Sequence, residues 1–238
     1  MAVVSEDREA AFEGRLAAVR GRIEAACREA GRDPDGVTLV AVSKTFPAAD
    51  VLLLHGLGVT DFGESYDAEA AAKAGSLRAA GVTPRWHFVG GLQRNKARSV
   101  ASYADVVQSV DRPELARALG AAAARAGRSV EALVQVRFDD DPGRSGCVPG
   151  EVPALADEIA GTEGLRLGGV MCVAPRDVAP RPVFARLRTV AEDVRRAHPH
   201  ATTISAGMTN DLEDAVAEGA NCVRVGTALF GRRSDKSR

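Results

Sequence analysis

A lysine in a chain that is poor in lysine is the first candidate for chemistry. Only four of the 31 basic residues are lysines: Lys44, Lys73, Lys96 and Lys236. Lys44 directly follows VTLVAVS at 37–43, the most apolar β-type run. A lysine at the end of such a strand is partly desolvated, which lowers the pKa of an amine and favours the neutral nucleophile. This position favours a Schiff base with a carbonyl compound; the alternative is a lysine that reaches back to water.

The segment VRVGTALFG at 223–231 has the residue types of an anion site. Its pattern is typical of a strand, a Gly226-Thr227 turn and one short helical turn. The backbone N–H groups of Gly226 and Thr227 would face an anion, and Gly226 would allow a close approach. The pattern therefore predicts a phosphate site near the end of the chain.

A second glycine turn with hydroxyl groups precedes that segment. It is SAGMT at 205–209, and Thr209 or Asn210 is alternatively a cap for the helix that follows. Three carboxylates come next, within 211–214, and they would repel a phosphate placed beside them. We therefore expect the anion to lie nearer to Gly226 than to this acidic stretch.

The elements that must position these residues alternate along the chain. A leading helix is predicted over 6–30, because apolar residues recur there at spacings of three and four. Eight strand candidates follow, roughly 20 to 37 residues apart, the pitch of βα units. They are 37–43, 61–63, 85–89, 105–110, 132–138, 165–173, 201–205 and 222–225. Helical patterns lie between them, for example at 67–80, 113–126, 182–197 and 211–218.

This alternation predicts the fold class α/β, with a single (β/α)8 TIM barrel over 1–231, an extra N-terminal helix and a polar tail at 232–238. The alternative is an open doubly wound sheet, although the G-x-G-x-x-G expected after its first strand is absent. A barrel carries its active site at the carboxyl ends of the strands, and its first and last strands are neighbours. Lys44 and the Gly226 turn would then lie side by side.

A carbonyl-reactive lysine beside a phosphate cradle suggests pyridoxal 5'-phosphate, which carries both an aldehyde and a phosphate. A sugar-phosphate aldolase would need the same two parts. It would also need paired acidic residues and a second lysine at the strand ends, which the sequence lacks there.

Composition excludes several other classes. The 31 basic and 32 acidic residues give a net charge of -1, which argues against a nucleic-acid partner. No apolar run reaches the ~18 residues of a membrane span, and no signal pattern opens the chain. The four cysteines form no C-x-x-C pair, so we expect neither a zinc site nor a disulfide scaffold. We expect a cytoplasmic protein.

Six segments together resemble the YggS/PROSC-type pyridoxal phosphate homeostasis proteins. They are VAVSKT at 40–45, FGESY at 62–66, WHFVG at 86–90 with LQRNK at 92–96, GVMC at 169–172, SAGMTND at 205–211 and VRVGTALFG at 223–231. They keep the family's order and span nearly the whole chain. The implied fold is similar to the barrel domain of bacterial alanine racemase.

The resemblance implies a role for each matching residue. Lys44 would form the Schiff base with pyridoxal phosphate, and Arg224 would point at its pyridine nitrogen. Gly226, Thr227 and Thr209 would hold the phosphate. The remaining cofactor-binding residues that it implies are Ser65, His87, Ser205 and Met208.

Three positions in the matching segments depart from the family's usual pattern, and one of them is Ala206, where the family usually has Met. Ser65 stands where the family usually has Asn, and its shorter side chain puts a cofactor contact in doubt. Thr209 stands where the family has Ser, and it keeps the hydroxyl.

Two functions follow, a carrier and an enzyme. Arg224 stays protonated and keeps the facing pyridine nitrogen unprotonated, which weakens the ring as an electron sink. A racemase also needs a second base; the candidates are Tyr66, Tyr103 and His87, and His87 is alternatively an orienting residue. We therefore predict a monomeric protein that holds pyridoxal phosphate and passes it transiently to apoenzymes. The alternative is a pyridoxal phosphate-dependent racemase or lyase of weak or narrow activity.

Overall fold

Eight parallel strands close into a barrel, each strand paired with the next and β8 paired with β1. The computed structural model describes residues 6–139, 141 and 143–231. The strands are β1 (Thr38–Val42), β2 (Asp61–Glu64), β3 (Arg85–Phe88), β4 (Val106–Val110), β5 (Val130–Val136), β6 (Leu165–Cys172), β7 (Thr203–Ser205) and β8 (Cys222–Val225). The predicted tail at 232–238 lies outside the described residues.

Helices connect the strands on the outside of the barrel. They are α1 (Glu6–Glu29), α2 (Ala48–Gly56), α3 (Asp67–Ala79), α4 (Ala97–Tyr103), α5 (Pro113–Arg125), α6 (Val152–Gly161), α7 (Pro180–Ala197), α8 (Leu212–Ala217) and α9 (Thr227–Phe230). The predicted (β/α)8 barrel with a leading helix is confirmed, and the open-sheet alternative is wrong. The predicted strand bounds differ from the observed ones by one or two residues at most.

Side chains fill the barrel, so its interior is a core rather than a channel. Val106, Leu133 and Met171 form an apolar cluster there, separate from the larger core between the sheet and the helices. An ion pair lies at the end of the barrel opposite the carboxyl ends of the strands. Arg85 Nη2 lies 2.7 Å from Glu131 Oε2 at the starts of β3 and β5. The carboxyl ends of the strands form the other end, which we call the mouth of the barrel.

Helix α1 packs across α8 and α9. The predicted apolar stripe is the buried face, with Phe12, Leu16, Val19 and Ile23 all inside the core. The polar face adds Arg22, whose Nη2 donates to Thr209 O at 2.8 Å and whose Nε pairs with Glu213. Helix α1 thus braces the elements that carry the loops after β7 and β8. In the described part of the chain, no helix is long and apolar enough to cross a membrane.

Candidate functional site

The mouth of the barrel brings the end of β1 against the loop after β8. Val40 is in register with Arg224, and Gly226 follows β8 directly. A Cβ atom on Gly226 would lie 3.4 Å from Val42 O, so this glycine permits the loop to pass close to the backbone of β1. Lys44 lies two residues beyond Val42 and is half-buried. The first and last strands therefore present Lys44 and the Gly226 turn as neighbours.

Arg224 is a buried cation below this mouth. Its side chain is only 4% exposed. Its Nη1 donates to Ser205 Oγ at 2.5 Å and its Nη2 donates to Cys172 O at 2.8 Å. Burial lowers the pKa of the guanidinium from its ordinary value, but an arginine remains protonated in proteins. The structure thus fixes a positive charge between β6, β7 and β8.

A chain of hydrogen bonds, the interior network, continues from Arg224 through the barrel. In order, it joins Arg224, Ser205, Gln108, His87 and Asp61. Ser205 Oγ donates to Gln108 Oε1 at 2.7 Å, and Gln108 Nε2 donates to His87 Nδ1 at 2.9 Å. His87 Nε2 lies 2.8 Å from Asp61 Oδ1. Gln108 Nε2 can only donate, so His87 Nδ1 accepts this hydrogen bond. Nε2 then carries the N–H of the neutral ring and donates a hydrogen bond to Asp61 Oδ1.

This network defines the position of His87. The side chain is buried in the barrel, and both ring nitrogens have partners. Burial raises the pKa of Asp61, but the hydrogen bonds from His87 and Thr60 outweigh it and bring that pKa below its usual value. His87 thus lies between an ionised carboxylate and an amide, two hydrogen bonds away from Ser205 and three away from Arg224. That geometry fits an orienting residue rather than a base at the mouth.

The loop after β7 leads into α8, and the residue that caps this helix is neither Thr209 nor Asn210. Helix α8 begins at Leu212 and its N-cap is Asp211, whose Oδ1 accepts the N–H of Met208 at 2.6 Å. The alternative role of Thr209 or Asn210, as the cap of this helix, is therefore wrong. Gly207 has a φ of +87°, and a Cβ there would lie 2.7 Å from Ala215 Cβ. The glycine is needed because the turn folds back onto α8.

The remaining candidates lie around the rim. Thr227 is exposed and opens α9, where the first N–H groups have no partner within the helix. Met208 is exposed and Ser65 is half-buried. Gly90 packs on Ser65, because a Cβ at Gly90 would lie 2.5 Å from Ser65 O. All nine predicted residues lie in β3, β7 and β8 or in the segments that directly follow β1, β2, β7 and β8. Three of them are buried in the interior network rather than at the rim: His87, Ser205 and Arg224.

Sequence reasoning missed a second cluster behind Lys44. Lys73 Nζ lies 2.7 Å from Glu64 Oε1 and 2.6 Å from Glu69 Oε1. Burial raises the pKa of Glu64 despite the adjacent Lys73. The scarcity of lysine and the four-residue spacing of Glu69 and Lys73 were the available signals. Sequence reasoning also missed Gln108 and Asp61 as members of the interior network.

A cleft of about 500 Å³ lies at the opposite end of the barrel, between α3, α4 and the starts of β3 and β4. Its lining includes Arg85 and Arg128. Arg85 pairs with Glu131, and Arg128 pairs with Asp105 at 2.8 Å. The Arg85 and Arg128 charges are thus neutralised within the protein. Arg78 also lines the cleft, but none of the nine predicted site residues does. Among the described residues, no group of His, Cys, Asp and Glu could hold a metal ion.

The fold and this site define a class, a (β/α)8 barrel with a lysine after its first strand and a buried arginine on its last. The sequence matches the alanine racemase N-terminal domain over residues 15–234. The chain belongs to this family.

Curated relatives carry a common name, "Pyridoxal phosphate homeostasis protein". One from Mycobacterium bovis is 41% identical over 250 residues, covering 97% of this chain and 96% of the relative. One from Pseudomonas aeruginosa is 42% identical over 222 residues, with coverages of 92% and 94%. One from Escherichia coli is 37% identical over 226 residues, with coverages of 92% and 95%. These relatives confirm the resemblance that the six sequence segments indicated.

Solved structures of similar fold include a member with PLP bound and an alanine racemase. PipY from Synechococcus elongatus, with PLP bound, superposes with a TM-score of 0.81 at 34% identity and covers 92% of this chain and 100% of its own. Alanine racemase from Clostridium difficile, in complex with cycloserine, has a TM-score of 0.71 at 17% identity. It covers 94% of this chain, which in turn spans 60% of the racemase chain. That second likeness concerns the fold alone.

Proposed function

We propose that this protein binds pyridoxal 5'-phosphate reversibly on Lys44 and maintains the supply of that cofactor by delivering it to apoenzymes. The observation that carries the proposal is the placement of Lys44 beside the strand that holds the buried Arg224 cation. The PLP-bound structure of PipY and the shared name of the curated relatives support it.

The residues at the mouth fit the chemical parts of this cofactor. When bound, the cofactor would supply an aldehyde, which condenses with a primary amine and releases one water molecule. Lys44 Nζ would be that amine, and water entering at the mouth would reverse the condensation. The N–H groups of Gly226 and Thr227 and the hydroxyl of Thr209 would hold the phosphate. Arg224 would face the pyridine nitrogen.

The arginine at that position favours storage over catalysis. A protonated guanidinium leaves the facing ring nitrogen without a proton, and the ring is then a weak acceptor of electrons from an amino acid. Enzymes that need a strong electron sink place a carboxylate there. Ser205 and the Cys172 carbonyl hold the guanidinium in place. This environment would hold the cofactor on Lys44 but would only weakly promote loss of a proton or group from the α-carbon of a bound amino acid.

The candidates for a second base also favour a carrier. The Tyr103 side chain is buried, its hydroxyl faces Asp67, and burial raises its pKa far above the usual value. Both ring nitrogens of His87 are hydrogen-bonded. Tyr66 is 54% exposed at the rim, so water would compete with it for protons. The second candidate function, a weak racemase or lyase, is supported by the racemase fold and would have to use Tyr66.

Transfer of the cofactor to an apoenzyme and catalytic turnover of amino acids distinguish the two functions. The protein loaded with pyridoxal phosphate is mixed with a pyridoxal phosphate-dependent apoenzyme, and the apoenzyme's recovered activity is followed. In parallel, the loaded protein alone is incubated with single L-amino acids and assayed for D-isomers and cleavage products. We expect recovery of the apoenzyme and no steady turnover. Turnover that Lys44→Ala abolishes, without transfer to the apoenzyme, would instead establish the enzyme.

A further inference from the structure

Both peptide groups that flank Lys44 are held by one pair of residues on α3. The carbonyl of Ser43, which precedes Lys44, accepts a hydrogen bond from Lys73 Nζ at 2.7 Å. The N–H of Thr45, which follows Lys44, donates to Glu69 Oε1 at 2.6 Å. Glu69 and Lys73 are four residues apart and 2.6 Å from each other. The backbone of Lys44 is therefore fixed from both sides by a single ion pair.

All three N–H donors of the Lys73 ammonium group are already hydrogen-bonded. An ammonium group has three N–H donors, and Lys73 donates to Ser43 O, Glu64 Oε1 and Glu69 Oε1. Glu64 Oε1 also accepts from Ser43 Oγ at 2.6 Å. Lys73 is only 6% exposed and Glu64 is fully buried. This lysine is thus a fixed cation that ties the ends of β1 and β2 to α3.

The turn after Lys44 needs such support. Thr45 has a φ of +69°, which is the only positive φ outside glycine in the described residues. A β-branched residue rarely adopts this conformation, and it persists where the surroundings determine it. The hydrogen bond from the Thr45 N–H to Glu69 is such a constraint. The direction in which the chain leaves Lys44 depends on it.

We propose that Glu69 and Lys73, with Glu64 beneath them, form a positioning clamp that sets the Lys44 amine for attack on the aldehyde. This inference rests on the proposed function. The clamp acts on the backbone of Lys44, whereas the glycine turns after β7 and β8 hold the phosphate. Its loss should therefore weaken covalent capture and leave recognition of the ring and phosphate intact.

Two ligands separate these effects. Pyridoxal 5'-phosphate reports capture together with recognition, and 4'-deoxypyridoxine 5'-phosphate, which lacks the aldehyde, reports recognition alone. In Glu69→Ala we expect the affinity for pyridoxal phosphate to fall by about ten- to a hundredfold, since misplacing a reacting group has effects of that order. The affinity for the analogue should stay within about twofold of wild type, below ~0.5 kcal/mol. Glu69→Gln, which keeps an oxygen facing the Thr45 N–H, should recover most of the loss.

Glu192→Ala is the matched control. Glu192 lies on α7, is 53% exposed and faces Arg188 at the same four-residue spacing, 3.9 Å away; Glu69 is 28% exposed. The control should bind both ligands as wild type does. Equal losses for both ligands in Glu69→Ala, or no loss for either, would overturn the clamp. If wild type binds pyridoxal phosphate no more tightly than the analogue, the proposed function fails instead.

Discussion

At the scale of single residues, the position of the positive charge on Arg224 depends on the hydrogen-bond partners of its guanidinium. Ser205 Oγ accepts from the guanidinium and donates to Gln108 Oε1, so one hydroxyl joins the arginine to the rest of the interior network. The carbonyl of Cys172 fixes the other guanidinium nitrogen. Ser205 Oγ is thus both an acceptor and a donor. Removing this hydroxyl takes away the hydrogen-bond partner of two buried polar groups, Arg224 Nη1 and Gln108 Oε1.

Ser205→Ala tests this dependence. The substitution removes the acceptor of Arg224 Nη1 and the donor to Gln108 Oε1, both buried. We expect the free energy of unfolding to fall by about 1–3 kcal/mol, measured by urea denaturation. Ser102→Ala is the control, because the Ser102 hydroxyl is exposed on α4 and bonds only locally; it should cost less than ~0.5 kcal/mol. A Ser205→Ala variant as stable as the control would show that the network contributes little.

At the scale of elements, helix α1 lies outside the βα repeat and supports the site indirectly. Leu16 and its neighbours at three- and four-residue spacings pack against α8 and α9. Helix α8 follows the loop that carries Thr209, and α9 follows Gly226 and begins at Thr227. The stability of α1 packing therefore bears on the proposed phosphate cradle.

Leu16→Ala should destabilise the protein by about 2–5 kcal/mol, since it removes a buried side chain and leaves a cavity. Chemical denaturation measures the change. Leu52→Ala removes the same atoms from a side chain that is 39% exposed on α2, and it should cost much less. If the two variants lose equal stability, α1 does not pack as the structure shows.

The elements themselves were predictable from the sequence. Strands such as 37–43 are apolar throughout, as parallel strands covered on both sides must be. The helix over 6–30 is marked by one stripe of apolar residues. The helix predicted over 211–218 begins one residue later, at Leu212. Its cap could not be chosen from the sequence, because Thr209, Asn210 and Asp211 are all good capping residues.

At the scale of the whole molecule, closure of the barrel creates the contacts that no local pattern reveals. Gln108 and Ser205 are 97 residues apart, and His87 and Asp61 are 26 apart. Glu69 and Lys73 have the spacing of an ordinary solvent-exposed helical pair. The sequence does not show that β1 ends above them. Lys44 and Gly226 were predictable because the first and last strands of a barrel must meet.

Borohydride trapping with peptide mass mapping tests most directly whether Lys44 holds pyridoxal phosphate. The purified protein is mixed with pyridoxal phosphate, reduced and digested, alongside Lys44→Ala. We predict loss of the visible absorbance band on reduction and a pyridoxyl-phosphate mass on the peptide that contains Lys44, absent from the variant. Label spread over exposed lysines such as Lys96, equal in both proteins, or no label at all, would contradict this role of Lys44.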